Sequence, residues 1–182
     1  MSGKLIVVSG PSGVGKSSVV NWVRNNQSDV WVSISMTTRT MRPEEIDGRE
    51  YFFVSREVFE KAVADGQMLE WAEFAGNLYG TPADLVRQKL DEGLHVILEI
   101  ELQGARQVRS VFPQALLVFI APPSWQDLVD RLTGRATESA EVIQSRLEVA
   151  KIELAAESEF DISLINHEVE TTGRELLDFA RS

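Results

Sequence analysis

The hydrophobic positions of this chain fall into short runs of two kinds. Residues 5–8, Leu5-Ile6-Val7-Val8, are a continuous apolar and mostly β-branched run bounded by small residues, the pattern of a strand buried on both faces. Glycines between positions 10 and 15 break the run, and residues 17–26 then read as a helix ending at Asn25-Asn26. Residues 30–36 alternate as a strand does, 37–48 are polar and turn-rich, and 51–54 are strand-like again. Ser55 is placed to cap a helix with Val58, Phe59, Ala62 and Val63 at helical spacing, and Gly66 stops it. Residues 68–74 read as a strand, Gly76-Asn77 supplies turn chemistry, and Pro82 opens a helix that ends near Gly93.

A simpler alternation follows. Apolar strands are expected at 95–100, 115–120 and 160–165, and helices at 103–110, 124–132 and 169–180. A polar stretch over 133–137 leads into a long helix at 139–157, with apolar positions Val142, Ile143, Leu147, Ala150 and Leu154. Strands alternating with helices predict a parallel sheet covered on both faces, a three-layer α/β/α fold. Residues 33–81 interrupt the alternation with a cluster of short strands. The expected organisation is therefore a core of residues 1–32 and 82–182, with a mixed-strand, substrate-binding module inserted at 33–81.

Composition narrows the chemistry. The chain has no cysteine and only two histidines, His95 and His167, which excludes disulfides, thiolate metal sites and a cysteine nucleophile and disfavours a histidine metal centre. A formal net charge of −10 argues against nonspecific binding to nucleic acid or to an anionic membrane surface. An anionic ligand would need a local cluster of cations inside this acidic shell. The longest apolar stretches, such as 115–121, are too short to span a bilayer, and the opening residues lead straight into a strand with no signal-like segment; the expected location is cytoplasmic. Self-association into a homo-oligomer is left open.

The glycine-rich segment Gly10-Pro11-Ser12-Gly13-Val14-Gly15-Lys16-Ser17 matches G-x-x-x-x-G-K-[ST] in full and lies between a buried strand and a helix, the context that confirms a phosphate-binding loop. Glycines let backbone N–H groups of Ser12, Gly13, Val14 and Gly15 curl toward phosphate oxygens, and the helix after them, beginning with Ser17 and Ser18, presents its positive end to the same anion. Lys16 would reach the β- and γ-phosphates, and the Ser17 hydroxyl would ligate Mg²⁺ accompanying ATP. Glu99 ends a predicted core strand, the edge at which parallel sheets bind ligands, and is placed to support the same cation. Phosphoryl transfer also needs positive charge around the moving group. Arg39 and Arg42 in the inserted module, and Arg131, Arg135 and Arg146 around the polar stretch, are the candidates, because a guanidinium pairs bidentately with phosphate.

Several blocks along nearly the whole chain resemble those of the guanylate kinase family. They are the phosphate loop itself; Val32-Ser33-Ile34-Ser35-Met36-Thr37-Thr38-Arg39 with Arg42-Pro43 and Gly48…Tyr51; Leu69-Glu70-Trp71-Ala72 with Gly76-Asn77-Leu78-Tyr79-Gly80-Thr81; Leu98-Glu99-Ile100-Glu101-Leu102-Gln103-Gly104; and Arg131-Leu132-Thr133-Gly134-Arg135. The resemblance implies a P-loop NTPase-type fold and transfer of the γ-phosphoryl group of ATP to GMP with Mg²⁺. It assigns Arg39, Arg42, Tyr51 and Tyr79 to the GMP phosphate, and Ser35, Glu70, Thr81 and Glu101 to the guanine. It places Arg131, Arg135 and Arg146 in a helical lid, about 132–146, over ATP, and Asn166 beside the adenine. Guanine offers two in-plane donors, N1–H and the 2-amino group, which a carboxylate such as Glu70 can accept together, whereas adenine presents an acceptor at N1. Serine and threonine hydroxyls at 35 and 81 could donate to O6.

The chain departs from the family pattern at four places: Glu44 for a usual glycine, Glu101 for a usual aspartate, Ala136 for a common glycine and Leu78 for a common tyrosine. None removes an expected phosphate ligand. Two other readings stay open at this point: a catalytically silent guanylate-kinase-like interaction module, and a kinase for another small phosphorylated acceptor.

Overall fold

The computed structural model describes residues 3–134 and 140–182. Its central sheet contains five parallel strands in the order β2-β7-β1-β8-β9: β1 Leu5–Ser9, β2 Val30–Val32, β7 His95–Glu99, β8 Leu116–Ala121 and β9 Ile162–Ile165. All five residues of β1, the middle strand, are buried, as its unbroken apolar run predicts. Its side chains alternate between two cores. Ile6 and Val8 meet Val19, Val20 and Val23 of α1 (Lys16–Asn26) and Leu176, Leu177 and Ala180 of α7 (Val169–Arg181). Leu5 and Val7 meet Val86 and Leu90 of α3 (Ala83–Asp91) and Ala105 and Val108 of α4 (Leu102–Val111). These are the three layers expected. Helix α5 (Trp125–Thr133) joins the first core through Leu128 and Leu132.

A second sheet, in the order β4-β3-β6-β5, is built wholly from residues 36–82: β3 Met36–Thr37, β4 Phe52–Phe53, β5 Met68–Phe74 and β6 Asn77–Pro82. It is mixed, with β3 and β4 parallel and β5-β6-β3 antiparallel. Helix α2 (Arg56–Ala64) crosses between β4 and β5, and the Ser55 hydroxyl caps it by accepting the Val58 N–H at 3.3 Å. Ala75 and Gly76, with φ of 49° and 79°, form the two-residue turn between β5 and β6. Two positive φ values give the reverse-twisted turn that suits a tight hairpin.

Three differences from the sequence expectations are instructive. The run 30–36 is two strands in two sheets: Ser33 N–H makes the last bond to the core sheet, at Ile97 O, before the chain crosses to β3. Alternation persists across that crossing, so periodicity hides it. Strand β6 lies in a stretch read only as a turn followed by a helix start. Helix α6 (Ala140–Ala155) packs on the core from Leu147 onward, while Val142 is exposed. The part of the expected lid at 135–139, including Arg135 and the Ala136 departure, lies outside the described residues.

Candidate active site

The phosphate loop follows β1 at the carboxyl edge of the sheet. Gly13 and Gly15 have φ of 85° and 97°, a region that residues with a Cβ rarely adopt, and this curls the loop ahead of α1. Lys16 folds back over it. The ammonium is buried, donates to Gly10 O and Pro11 O, and lies 3.8 Å from the Glu101 carboxylate. Beside it, the Ser17 hydroxyl donates to Glu99 Oε1 at 2.5 Å. Residue Glu99 reaches this point because β7 pairs in parallel register with β1, Val8 opposite Glu99. The two expected Mg²⁺ ligands are thus neighbours, two hard oxygen donors of the type that binds this ion alongside water and phosphate.

Other side chains hold the loop from behind. Val14 is fully buried; its carbonyl accepts from Asn166 Nδ2 at 2.8 Å and from the Arg131 guanidinium at 3.0 Å. Arg131 also donates to Asn166 O at 3.1 Å. The Asn166 amide and Arg131, expected at the adenine and in the lid, are here props of the loop backbone, joined through Val14. Arg146 donates to the Ser12 hydroxyl at 2.7 Å, and Glu153 of the same helix accepts the Ser12 N–H at 3.3 Å. The Glu153 carboxyl is pushed up to about 7, first by burial and then by the nearby Glu101 carboxylate, with Lys16 opposing. A cavity of about 240 Å³ opens in front of the loop, lined by Ser12, Gly13, Gly15 to Ser18, Glu99, Glu101 and Arg146.

The second sheet faces a larger cavity of about 420 Å³, lined by Ser35, Tyr51, Glu70, Tyr79 and Gly104 among others. Glu70 is 6% exposed, and burial raises its carboxyl above the usual range. The Thr81 hydroxyl, fully buried, donates to Glu70 Oε1 at 2.6 Å. Thr81 was expected to donate to the base itself; its proton holds the carboxylate instead. On the other side, a Cβ added to Gly104 would stand 2.7 Å from Glu70 Oε2, so the helix leaves a notch for that oxygen. Gln107, one turn further along α4, donates to Trp71 O at 2.8 Å and accepts the Trp71 N–H at 3.0 Å, tying the helix to β5.

The phosphate-binding candidates of this side cluster at its edge. Tyr51 and Tyr79 meet edge to face, 5.9 Å between centroids, and burial raises the Tyr51 hydroxyl above its usual range. The Arg39 guanidinium lies 5.5 Å over the Tyr51 ring and 5.6 Å over Phe53. It is gripped by Glu45, whose two oxygens stand 2.6 and 3.0 Å from its terminal nitrogens. Arg42 is exposed, and its backbone N–H donates to Glu45 at 2.8 Å. Glu44, the departure from the usual glycine, lies in the turn closed by the Glu45 N–H on Arg42 O. Among the described residues Ala75 alone of the non-glycines has a positive φ, so the turn at Glu44 does not require glycine.

The two cavities share Glu99 and Glu101 as a common wall. Glu101 is 71% exposed and faces Lys16 as well as the second sheet. The sequence reading brought most of these residues together but passed over Glu45, Glu153, Gly104 as a notch, and Gln107. Gly104 stood inside a recognised block; Glu45 lies in the polar, turn-rich stretch 37–48 and Glu153 among the unremarked polar positions of the helix expected at 139–157.

The guanylate kinase family model matches residues 2–182. A guanylate kinase of Thermobifida fusca is 59% identical over 174 residues, covering 96% of this chain and 89% of that protein. One of Streptomyces coelicolor is 60% identical, covering 96% and 88%. Among solved structures, the guanylate kinase of Anaplasma phagocytophilum superposes with a TM-score of 0.79 at 29% identity, covering 99% of this chain and 85% of that one. No helix among the described residues is long and apolar enough to cross a membrane. With a family model spanning residues 2–182 and relatives 59–60% identical over 96% of its length, this chain belongs to the guanylate kinase family.

Proposed function

We propose that the two cavities are the ATP and GMP sites of one phosphotransferase and that the groups at their shared wall carry the transfer. The chain is a nucleoside monophosphate kinase that moves the γ-phosphoryl group of ATP to GMP, giving ADP and GDP. A phosphate oxygen of GMP attacks the γ-phosphorus while its bond to the β–γ bridging oxygen breaks, so the electron pair leaves with ADP and no phospho-enzyme forms. The observation that supports this reading is the meeting of the phosphate-loop cavity and the Glu70 cavity at Glu99 and Glu101.

On the donor side, the loop amides and Lys16 bind the β- and γ-phosphates, and Lys16 exchanges its loop carbonyls for phosphate oxygens as ATP enters. Arg146, at the rim beside Ser12, supplies charge to the moving group. Ser17 and Glu99 would hold Mg²⁺, directly or through water, which neutralises charge on the β- and γ-oxygens when bound. Arg131 and Asn166 act through Val14, shaping the loop. On the acceptor side, residues 33–81 form the GMP-binding module. Tyr51, Tyr79, Arg39 and Arg42 take the phosphate, Glu70 accepts N1–H and the 2-amino group, and Ser35 contributes a hydroxyl near the base. Glu101, between Lys16 and the acceptor cavity, lines the path along which the two substrates meet. Burial of Glu70 makes the discrimination sharp, because an unmatched buried polar pair costs roughly 1–3 kcal/mol.

A coupled assay of ADP release with GMP, dGMP, AMP, CMP and UMP tests the reading. Turnover is expected with GMP and to depend on Mg²⁺; no turnover with GMP would overturn it.

A further inference from the structure

Arg39 carries five N–H donors in a plane, and their partners say which of its edges is available. One terminal nitrogen donates to Thr40 O at 2.9 Å and to Glu45 Oε2 at 3.0 Å; the other donates to Glu45 Oε1 at 2.6 Å. The end-on edge is therefore closed by Glu45. What remains is the side-on edge, Nε–H with the inner hydrogen of the second terminal nitrogen, which is itself a fork that fits two oxygens of a phosphate. The Tyr79 hydroxyl, whose residue lines the acceptor cavity, interacts with the guanidinium as well. Tyr51 and Phe53 cover its face.

Glu45 is fixed in turn. Its own N–H donates to Arg42 O at 3.1 Å, and its Oε2 accepts the Arg42 N–H at 2.8 Å, closing the turn over Pro43 and Glu44 from both sides. The side chains of the pair are only 17% and 11% exposed. The Arg39 guanidinium first, and then the Arg42 backbone N–H, hold the Glu45 carboxyl down at about 2, so it stays ionised across the working range of pH.

We propose that Glu45 is a positioning residue for the acceptor phosphate: it occupies the outer edge of Arg39 and sets the backbone of Arg42, so that the inner edge of Arg39 is held beside Tyr51 and Tyr79, which line the cavity, before GMP arrives. The inference rests on the acceptor cavity being the GMP site. Glu45 touches neither base nor reacting atoms; it acts through the two arginines. Without this clamp the guanidinium would keep its place on Tyr51 and Phe53 but lose the bonds that fix its turn in that plane, and the loss falls on phosphate binding.

The test compares wild type with Glu45→Gln, which keeps the size and removes the charge, and with Glu45→Asp, which keeps the charge and shortens the reach. KM for GMP should rise about tenfold in Glu45→Gln, the loss of one well-aligned charged contact, and less in Glu45→Asp. KM for ATP and the inhibition constant of guanosine, which has the base but no phosphate, should not move. In an Arg39→Lys background, where no fork remains to be aimed, Glu45→Gln should add less than about a twofold change, since the two side chains act as one unit. A fall in KM for GMP would show Glu45 to be a competitor of the phosphate, and an equal rise for GMP and guanosine would show it to be a fold contact; either overturns the inference, as does an unchanged KM. Failure of the wild-type protein to use GMP would instead overturn the assignment of the cavity.

Discussion

The Thr81 hydroxyl donates to Glu70 Oε1 at 2.6 Å, which fixes one carboxylate oxygen from beneath and leaves the other to the Gly104 notch and the cavity. Thr81→Val keeps the shape and removes the donor. A buried acceptor without its partner costs about 1–3 kcal/mol, so KM for GMP should rise on the order of tenfold with KM for ATP unchanged. Steady-state kinetics with each nucleotide varied in turn measure this. Glu70→Gln should go further and reduce the preference for GMP over AMP, and an intact preference would count against Glu70 as the base reader.

Burial raises the Glu70 carboxyl above its usual range, and the bond from Thr81 opposes that rise. Guanine donors favour the ionised form. KM for GMP should therefore increase as pH falls through the raised value, above the ordinary carboxylate range, and the inflection should move higher in Thr81→Val. In Glu70→Gln it should vanish.

Glu153 gives a stability signature. Its folded-state value, about 7, lies above the unfolded value of 4.5. The folded protein therefore binds the extra proton between these limits; the stabilisation is complete below 4.5 and lost as pH rises through 7. Glu153→Gln removes this dependence. Thermal melts should show the variant gaining on wild type from pH 5 to pH 8, and parallel melting curves at all pH values would refute the assignment.

Gly104→Ala separates packing from recognition. Alanine favours a helix over glycine by up to about 1 kcal/mol, yet its Cβ would displace the Glu70 carboxylate, whose other oxygen is held by Thr81. The helix gain offsets part of the cost of moving Glu70, so melting temperature should fall only slightly while KM for GMP worsens at least about tenfold. Calorimetry and kinetics on one preparation check both halves.

Lys16→Ala should lower kcat by roughly 10²–10³, since a charge aimed at the transferring group matters most in the transition state. The loop beneath should keep its shape, because Gly10 and Pro11 carbonyls need no lysine to stay in place and Val14 remains tied to Asn166 and Arg131. A single-turnover measurement isolates the chemical step.

Much of this was legible in the chain because the signals are local. A buried strand, glycines and a lysine in fixed order imply the phosphate loop, and alternating apolar runs imply the layers. What escaped depends on contacts between distant residues. The crossing after Val32 is invisible because both sheets use alternate positions. Glu45 lies six residues from Arg39 in a polar stretch, and nothing in composition separates it from Glu44, which is exposed beside it. A hydroxyl next to a carboxylate and a ligand can serve either, and the sequence does not say that the Thr81 donor goes to Glu70. That Asn166 and Arg131 both donate to the Val14 carbonyl depends on contacts across more than a hundred residues, which no local pattern marks.

The notch at Gly104 has a consequence for recombination. Glu70 belongs to the second sheet, but the space for its carboxylate, and the Gln107 amide that fixes the strand beside it, come from α4 of the core. On the proposed assignment of Glu70 to the base, residues 33–81 grafted onto another phosphate-loop scaffold would bring their arginines and tyrosines with them, but the preference for guanine would stay behind unless the host helix offered the same gap. Selectivity of that kind is inherited across a seam, so a chimera would have to exchange both edges of it.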